Sequence, residues 1–325
     1  MEGLSERKAA IVFPVAIVVS IAVLAGIGLL AEARDAPRGG SNGNATTPQP
    51  THPPVVLVGA GDIADCGEDG DSATAALLAT IDGIVFTTGD NAYPDGGADD
   101  YVECYEPTWG AVRSRTRPVP GNHEYDTGTA DAYRAYFGAQ AIPLGTTWYS
   151  FTAGAWLVLM LDSECDEVGG CGPDSPQVRW LRDELAGSDL TCQMAVWHRP
   201  RFSSGYHGGS NDTATFWEVL HEAGADIVVN GHDHDYERFA PQDATGTADP
   251  EFGIREFVVG TGGANLRPFE AVVDNSEVRD DTSHGVVRLT LADGSYDWTF
   301  VPVADATFTD AGSGTCHRAP TSASP

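Results

Sequence analysis

Five times along this chain a short apolar run ends at a side chain able to bind a metal. Residues 55–58 lead into Gly59-Ala60-Gly61-Asp62, 84–88 into Gly89-Asp90, and 117–120 into Gly121-Asn122-His123-Glu124. Residues 193–197 lead into His198, and 226–230 into Gly231-His232-Asp233-His234. Runs of this length and β-branched content read as strands. Between them lie helical patterns at 72–81, 130–137, 176–185 and 213–223, with Ser175 as N-cap and Pro176 in the first turn of the third. Strands alternating with helices predict a layered sheet whose functional groups gather at the strand ends. Residues 148–152, 155–161 and 255–259 read as antiparallel, as does the closing pair 286–291 and 296–301, where Asp293-Gly294 marks a hairpin. The expected fold class is α/β (α+β): two packed mixed β-sheets with helices outside.

A carboxylate or imidazole brought to a metal at a strand end needs a sharp backbone turn, which glycine permits. Each motif alone carries little, since Gly-Asp is common and a lone His198 is more often a core or surface histidine. Five in order, each at a strand end, read as a metal site. The donors are Asp62, Asp90, Asn122, His198, His232 and His234. Tyr93, three places after Asp90, adds a hard anionic oxygen that favours a ferric ion.

The formal charge is −29, from 47 acidic against 18 basic residues, and Lys8 is the only lysine. Such a surface repels nucleic acid at long range and excludes nucleic-acid binding as the expected role. Residues 9–31 carry no charge, and 23 residues at helical rise span about 34 Å, enough to cross a bilayer. Arg7 and Lys8 precede them, which places residues 1–8 in the cytoplasm and the rest of the chain outside. The length favours an uncleaved single-pass anchor. The alternative is a cleaved signal peptide ending at Ala31-Glu32-Ala33, whose apolar region is ordinarily about 7–15 residues. Residues 32–54, rich in Pro, Gly, Asn and Thr, read as a flexible linker, 55–303 as the catalytic domain, and 304–325 as a tail.

All six cysteines follow the apolar segment, which suggests disulfides in an oxidising compartment. Cys165 and Cys171 enclose a short Gly-rich loop and are expected to pair. Cys66–Cys104 and Cys192–Cys316 are then the expected remainder, the latter pinning the tail.

The motifs resemble those of the calcineurin-like metallophosphoesterases and, more narrowly, their purple acid phosphatase branch. The narrow likeness rests on Asp90-x-x-Tyr93, on Gly121-Asn122-His123-Glu124, and above all on Gly231-His232-Asp233-His234-Asp235-Tyr236-Glu237-Arg238. It covers about residues 55–303. The resemblance implies a four-layer sandwich and a dinuclear centre. Asp62, Asp90, Tyr93 and His234 would hold ferric iron. Asp90 would bridge to a divalent metal (Zn, Mn or Fe) also held by Asn122, His198 and His232. Many relatives place a histidine two residues after the first Asp; Ala64 stands there, so Tyr93 would supply the missing ligand. Two departures bear on substrate preference: Ala64 itself, where this branch usually has glycine, and the lack of the plant enzymes' β-sandwich domain before residue 55.

The implied chemistry is hydrolysis of extracellular phosphate monoesters by a hydroxide shared between the metals. His123 and His207 are the candidates for proton transfer, and Asn122, His123, His207 and Arg201 for substrate contact. The alternatives are a Mn, Zn or Fe(II) phosphodiesterase with Tyr93 merely nearby, and a cell-surface binding protein that has lost catalysis.

Overall fold

The computed structural model describes residues 52–317. The expected membrane or signal segment at 9–31, the linker up to residue 51 and the last eight residues lie outside the described residues. Within them, no helix is long and apolar enough to cross a membrane.

The strands are β1 (Val55–Ala60), β2 (Ile84–Thr87), β3 (Thr116–Arg117), β4 (Tyr149–Ala153), β5 (Trp156–Met160), β6 (Cys192–Val196) and β7 (Ile227–Asn230). They continue with β8 (Tyr236–Phe239), β9 (Arg255–Val259), β10 (Ser276–Asp280), β11 (Gly285–Ala292), β12 (Ser295–Pro302) and β13 (Ala311–Thr315). The helices are α1 (Gly70–Leu78), α2 (Ala98–Asp100), α3 (Asp131–Phe137), α4 (Pro176–Gly187) and α5 (Ala214–Ala223). One sheet has the order β13-β12-β11-β1-β2-β3 and the other β10-β8-β9-β7-β6-β5-β4. In the first, β1, β2 and β3 run parallel while β11 is antiparallel to β1. In the second, β5, β6, β7 and β9 run parallel, with β4 antiparallel to β5 and β8 antiparallel to β9. Both sheets are therefore mixed.

Strand β5 shows why the sheets stack. All five of its residues are buried, and successive side chains face opposite ways. Val158 and Met160 join Met194, Val196 and Phe257 in a core shared with Phe86, Leu289 and Phe300 of the first sheet. Leu157 and Leu159 join Ala195 and Trp197 under Leu181 of α4 and Phe216, Trp217 and Leu220 of α5. Full burial of one such side chain is worth about 1.5–3 kcal/mol, so each interface holds its layer. Ser175 caps α4 by accepting from Val178 N at 3.3 Å, and Pro176 opens it. The closing hairpin forms with Ala292 opposite Ser295 across Asp293-Gly294, where Gly294 takes φ 78°.

Three expectations need correction. The runs 155–161 and 255–259 read as antiparallel, but β5 is antiparallel to β4 and parallel to β6, and β9 is parallel to β7 and antiparallel to β8. The strand expected at 117–120 shrinks to Thr116–Arg117, because Pro118 and Pro120 have no N–H to give the ladder. The expected tail at 304–325 contains a strand. Ala311–Thr315 pairs antiparallel with β12 and widens the first sheet. The glycines that suggested a loose tail are a packing requirement, since a Cβ at Gly312 would collide with the Trp298 ring.

The three expected disulfides are present: Cys66–Cys104, Cys165–Cys171 and Cys192–Cys316. Cys192 and Cys316 also lie close to Asp226, but their sulfurs are bonded to each other, which leaves no thiolate for a metal.

Candidate metal centre

Asp62 follows β1, Asp90 follows β2, Asn122 follows β3, His198 follows β6 and His232 follows β7. Each stands beyond the C-terminal end of a parallel strand, where α/β sheets place their sites. Tyr93 Oη lies 3.1 Å from Asp62 Oδ1, 3.3 Å from Asp90 Oδ2 and 3.2 Å from His234 Nε2. His234 Nε2 is 3.3 Å from Asp62 Oδ1, so these four side chains converge on one point. Asp90 Oδ2 is also 3.1 Å from His198 Nε2. His198 Nε2 in turn lies 3.2 Å from Asn122 Oδ1 and 3.1 Å from His232 Nδ1. One carboxylate oxygen thus stands between two groups of donors. All seven residues expected to hold metal are brought together.

The imidazoles are fixed from behind. His198 Nδ1 meets the Thr88 carbonyl at 2.9 Å, and His234 Nδ1 meets the Asn265 carbonyl at 2.8 Å. A carbonyl can only accept, so Nδ1 carries a hydrogen and Nε2 turns into the cluster. The electrostatics call for a cation. Burial opposes charge on His198, yet the facing Asp90 carboxylate draws it up to about 10. Burial likewise favours the neutral acid of Asp90, but His198 holds it well below the usual carboxylate range. Burial, then Asp62 and Asp90, push the Tyr93 phenol well above its ordinary value. Burial, His198 and Arg199 hold His232 far down, leaving it neutral with a lone pair to give. Hard oxygens and imidazole nitrogens with positive charge in short supply form a donor set that fits two metal ions.

The sharp turns are made largely by the donors themselves. Asp62, Asp90 and His232 take φ of 58°, 48° and 70°, a region non-glycine residues seldom enter. Gly89 (φ 93°) acts as expected, but Gly231 serves close approach. A Cβ there would lie 2.6 Å from Asp62 Oδ2.

Glu124, in the third motif, is not among the donors. It is fully buried, and its carboxylate accepts from Asp90 N at 3.0 Å, Asn91 N at 2.8 Å and Gly121 N at 2.6 Å. It ties the loop of Asp90 to the loop of Asn122. Its burial first, and the nearby Asp90 second, raise it to about 7. Asp233 is also buried and faces away from the donors, accepting from His207 N at 2.6 Å, Gly208 N at 3.2 Å and the Ser203 hydroxyl.

His123 lies with its ring 4.5 Å from the Tyr93 ring, and its Nε2 is 3.8 Å from Asp90 Oδ2. The His207 ring stacks on His232 at 4.3 Å. Arg201 does not join them. Its Nη1 donates to Asn211 Oδ1 at 2.9 Å and its guanidinium lies over Phe202. On a loop that reverses direction, neighbours in sequence face different ways, and the arginines beside the cluster are Arg199 and Arg267. Arg199 Nη1 is 3.2 Å from His232 Nε2, while its Nε meets both Glu164 oxygens at 2.9 and 3.0 Å. It also lines a cavity of about 420 Å³ walled by Ser163, Glu164, Glu167 and Asp212. Arg267 Nη1 donates to His207 Nε2 at 2.7 Å. No motif marks Arg267, and no local pattern in the sequence could have found it.

The chain belongs to the calcineurin-like phosphoesterase family, whose sequence profile matches residues 51–236. Its similarity runs to the purple acid phosphatase-like branch. It is 31% identical over 158 residues to purple acid phosphatase 15 of Arabidopsis thaliana, covering 42% of this chain and 29% of that protein. It is 34% identical over 149 residues to an uncharacterised protein of Mycobacterium tuberculosis, covering 38% and 28%. A purple acid phosphatase from yellow lupin (Lupinus luteus) seeds superposes with a TM-score of 0.64 at 20% identity, over 81% of this chain and 54% of that one. The chain thus spans less than a third of the length of those two sequence relatives. The family implies a dinuclear metal centre.

Proposed function

We propose that this chain is a dinuclear-metal phosphoesterase of the acid phosphatase kind, acting on small phosphate monoesters outside the cell. In this reading Asp62, Tyr93 and His234 hold a ferric ion, Asn122, His198 and His232 hold a divalent Zn, Mn or Fe, and Asp90 touches both. The observation that carries it is the position of Asp90 Oδ2, 3.3 Å from the Tyr93 hydroxyl and 3.1 Å from His198 Nε2. A buried phenol flanked by two carboxylates ionises only opposite a strongly charged cation, which favours a trivalent ion. The three disulfides and the positive residues before the apolar segment support an outward-facing domain, with anchor and cleaved leader still the two forms it takes.

When bound, such a metal pair supplies Lewis-acid polarisation of the phosphoryl group and an activated water. The protein groups do the rest. Asn122 and His123 line one side of the site, and His207, stacked on His232, lines the other. His207 sits where it can give a proton to the departing alcohol, with His123 as the second candidate for proton transfer.

The test is metal analysis and a visible spectrum of the purified protein, with turnover of nitrophenyl phosphate and of its diester. Tyrosinate on ferric iron absorbs visible light, so the oxidised protein is expected to be coloured. Tyr93→Phe is expected to bleach it while keeping part of the activity through Asp62, Asp90 and His234. A colourless, iron-free and fully active protein would overturn the ferric assignment. Preference for the diester would favour a phosphodiesterase, and no turnover of either ester by metal-loaded protein would favour a binding role.

A further inference from the structure

We propose that Arg267 contacts the phosphoryl group in this site, gripping a non-bridging oxygen beside His207; the inference rests on the phosphoesterase reading. Three contacts hold Arg267 at the rim of the donor cluster. Its backbone N donates to the His234 carbonyl at 3.0 Å, its Nη1 donates to His207 Nε2 at 2.7 Å, and its guanidinium lies 5.3 Å over the exposed Tyr206 ring. His207 is itself stacked on His232 at 4.3 Å. A phosphate oxygen that reaches His207 therefore comes beside the guanidinium bonded to it.

The charge state of the neighbouring arginines separates Arg267 from them. Arg199 is neutralised by Glu164, Arg238 by Glu277 and Asp310, and Arg255 by Glu277. Arg201 is turned onto Asn211. Arg267 has no ion pair among the described residues, in a chain with 47 acidic residues. Its one side-chain hydrogen bond uses Nη1, so the remaining N–H groups of a planar fork suited to phosphate oxygens stay available. An arginine held by neutral groups beside a metal cluster has its positive charge free for an anionic ligand.

The experiment measures binding of inorganic phosphate to the metal-loaded protein by calorimetry, so it needs no turnover. Arg267→Met is expected to weaken phosphate binding by about 10–100-fold, the usual worth of a charge-assisted hydrogen bond. Arg267→Lys should recover part of this, and Arg201→Met should leave the affinity unchanged. Unchanged affinity in Arg267→Met, or a loss as large in Arg201→Met, overturns the proposal. A cycle with His207→Ala separates direct contact from an effect through the histidine. Further weakening by Arg267→Met in that background supports direct contact, and none overturns it. Protein that turns over no ester yet binds phosphate through Arg267 would refute hydrolysis alone. Protein that hydrolyses esters with Arg267→Met affinity intact would refute this inference alone.

Discussion

The candidate metal donors stand at strand ends, whereas His207 sits on the loop 199–208, which has no strand of its own. Asp62, Asp90 and His232 take left-handed backbone conformations that cost roughly 1–3 kcal/mol each, and the hydrogen-bonded ladders behind them hold that strain in place. The loop instead hangs from buried carboxylates. Asp233 accepts from His207 N and Gly208 N, Glu237 from Ser204 N at 2.7 Å, and Glu256 from Arg201 N at 3.1 Å. Backbone geometry sets the candidate metal donors, and side chains turned away from those donors set the loop that carries His207. The two regions should therefore fail separately.

The sharpest break targets the strand ends. Asp90→Ala removes the one carboxylate that reaches both donor groups, so metal content and turnover should fall together. Loss of a mere outer partner costs about 10–100-fold, and this change should exceed the upper figure. Metal analysis alongside kinetics checks it, and full metal content in an inactive variant would contradict the bridging role.

Asp233→Ala should produce the opposite pattern. It frees the loop while removing none of the donor side chains, so both metals should remain. Turnover of esters with poor leaving groups should drop by about 10–100-fold, because a general acid is worth about 10²–10⁴ and is here misplaced rather than deleted. Nitrophenyl phosphate, whose leaving group needs little protonation, should lose far less. Equal losses on both esters, or loss of metal, would show that loop and strand ends are not held independently.

The same contrast explains what could be read from the sequence. The strand ends were legible because apolar runs, turns and ligating side chains are local patterns. The hairpin at Asp293-Gly294 and the Cys165–Cys171 bond were legible for the same reason, whereas the other two bonds followed only as the remainder. Strand β8 was not, because Glu237 and Arg238 look like surface residues. They are buried with partners far along the chain, Ser204 and Asp310. Strand β13 was hidden by its glycines, which make room for the rings of β12. Arg201 stands out in the sequence because it lies near His198, whereas only the folded chain brings Arg267 to His207.

A buried carboxylate far from the donors tests whether such clamps carry a cost of their own. Asp226 is buried at the start of β7, where it accepts from Gln193 N at 2.9 Å and His317 N at 2.8 Å, beside the Cys192–Cys316 bond. Burial raises it from 3.8 to about 7, despite those two bonds. Because the folded value lies above the unfolded one, the fold favours the neutral acid. Its contribution to stability is full below about pH 4 and is lost as pH rises through 7. Asp226→Asn removes the titration but keeps an acceptor. The melting temperature of the variant relative to wild type should therefore rise between pH 4 and pH 7, by a few degrees for a change of about 1 kcal/mol. Thermal melts across that range measure it. A constant difference would mean that Asp226 does not titrate there, and that its two hydrogen bonds outweigh its burial.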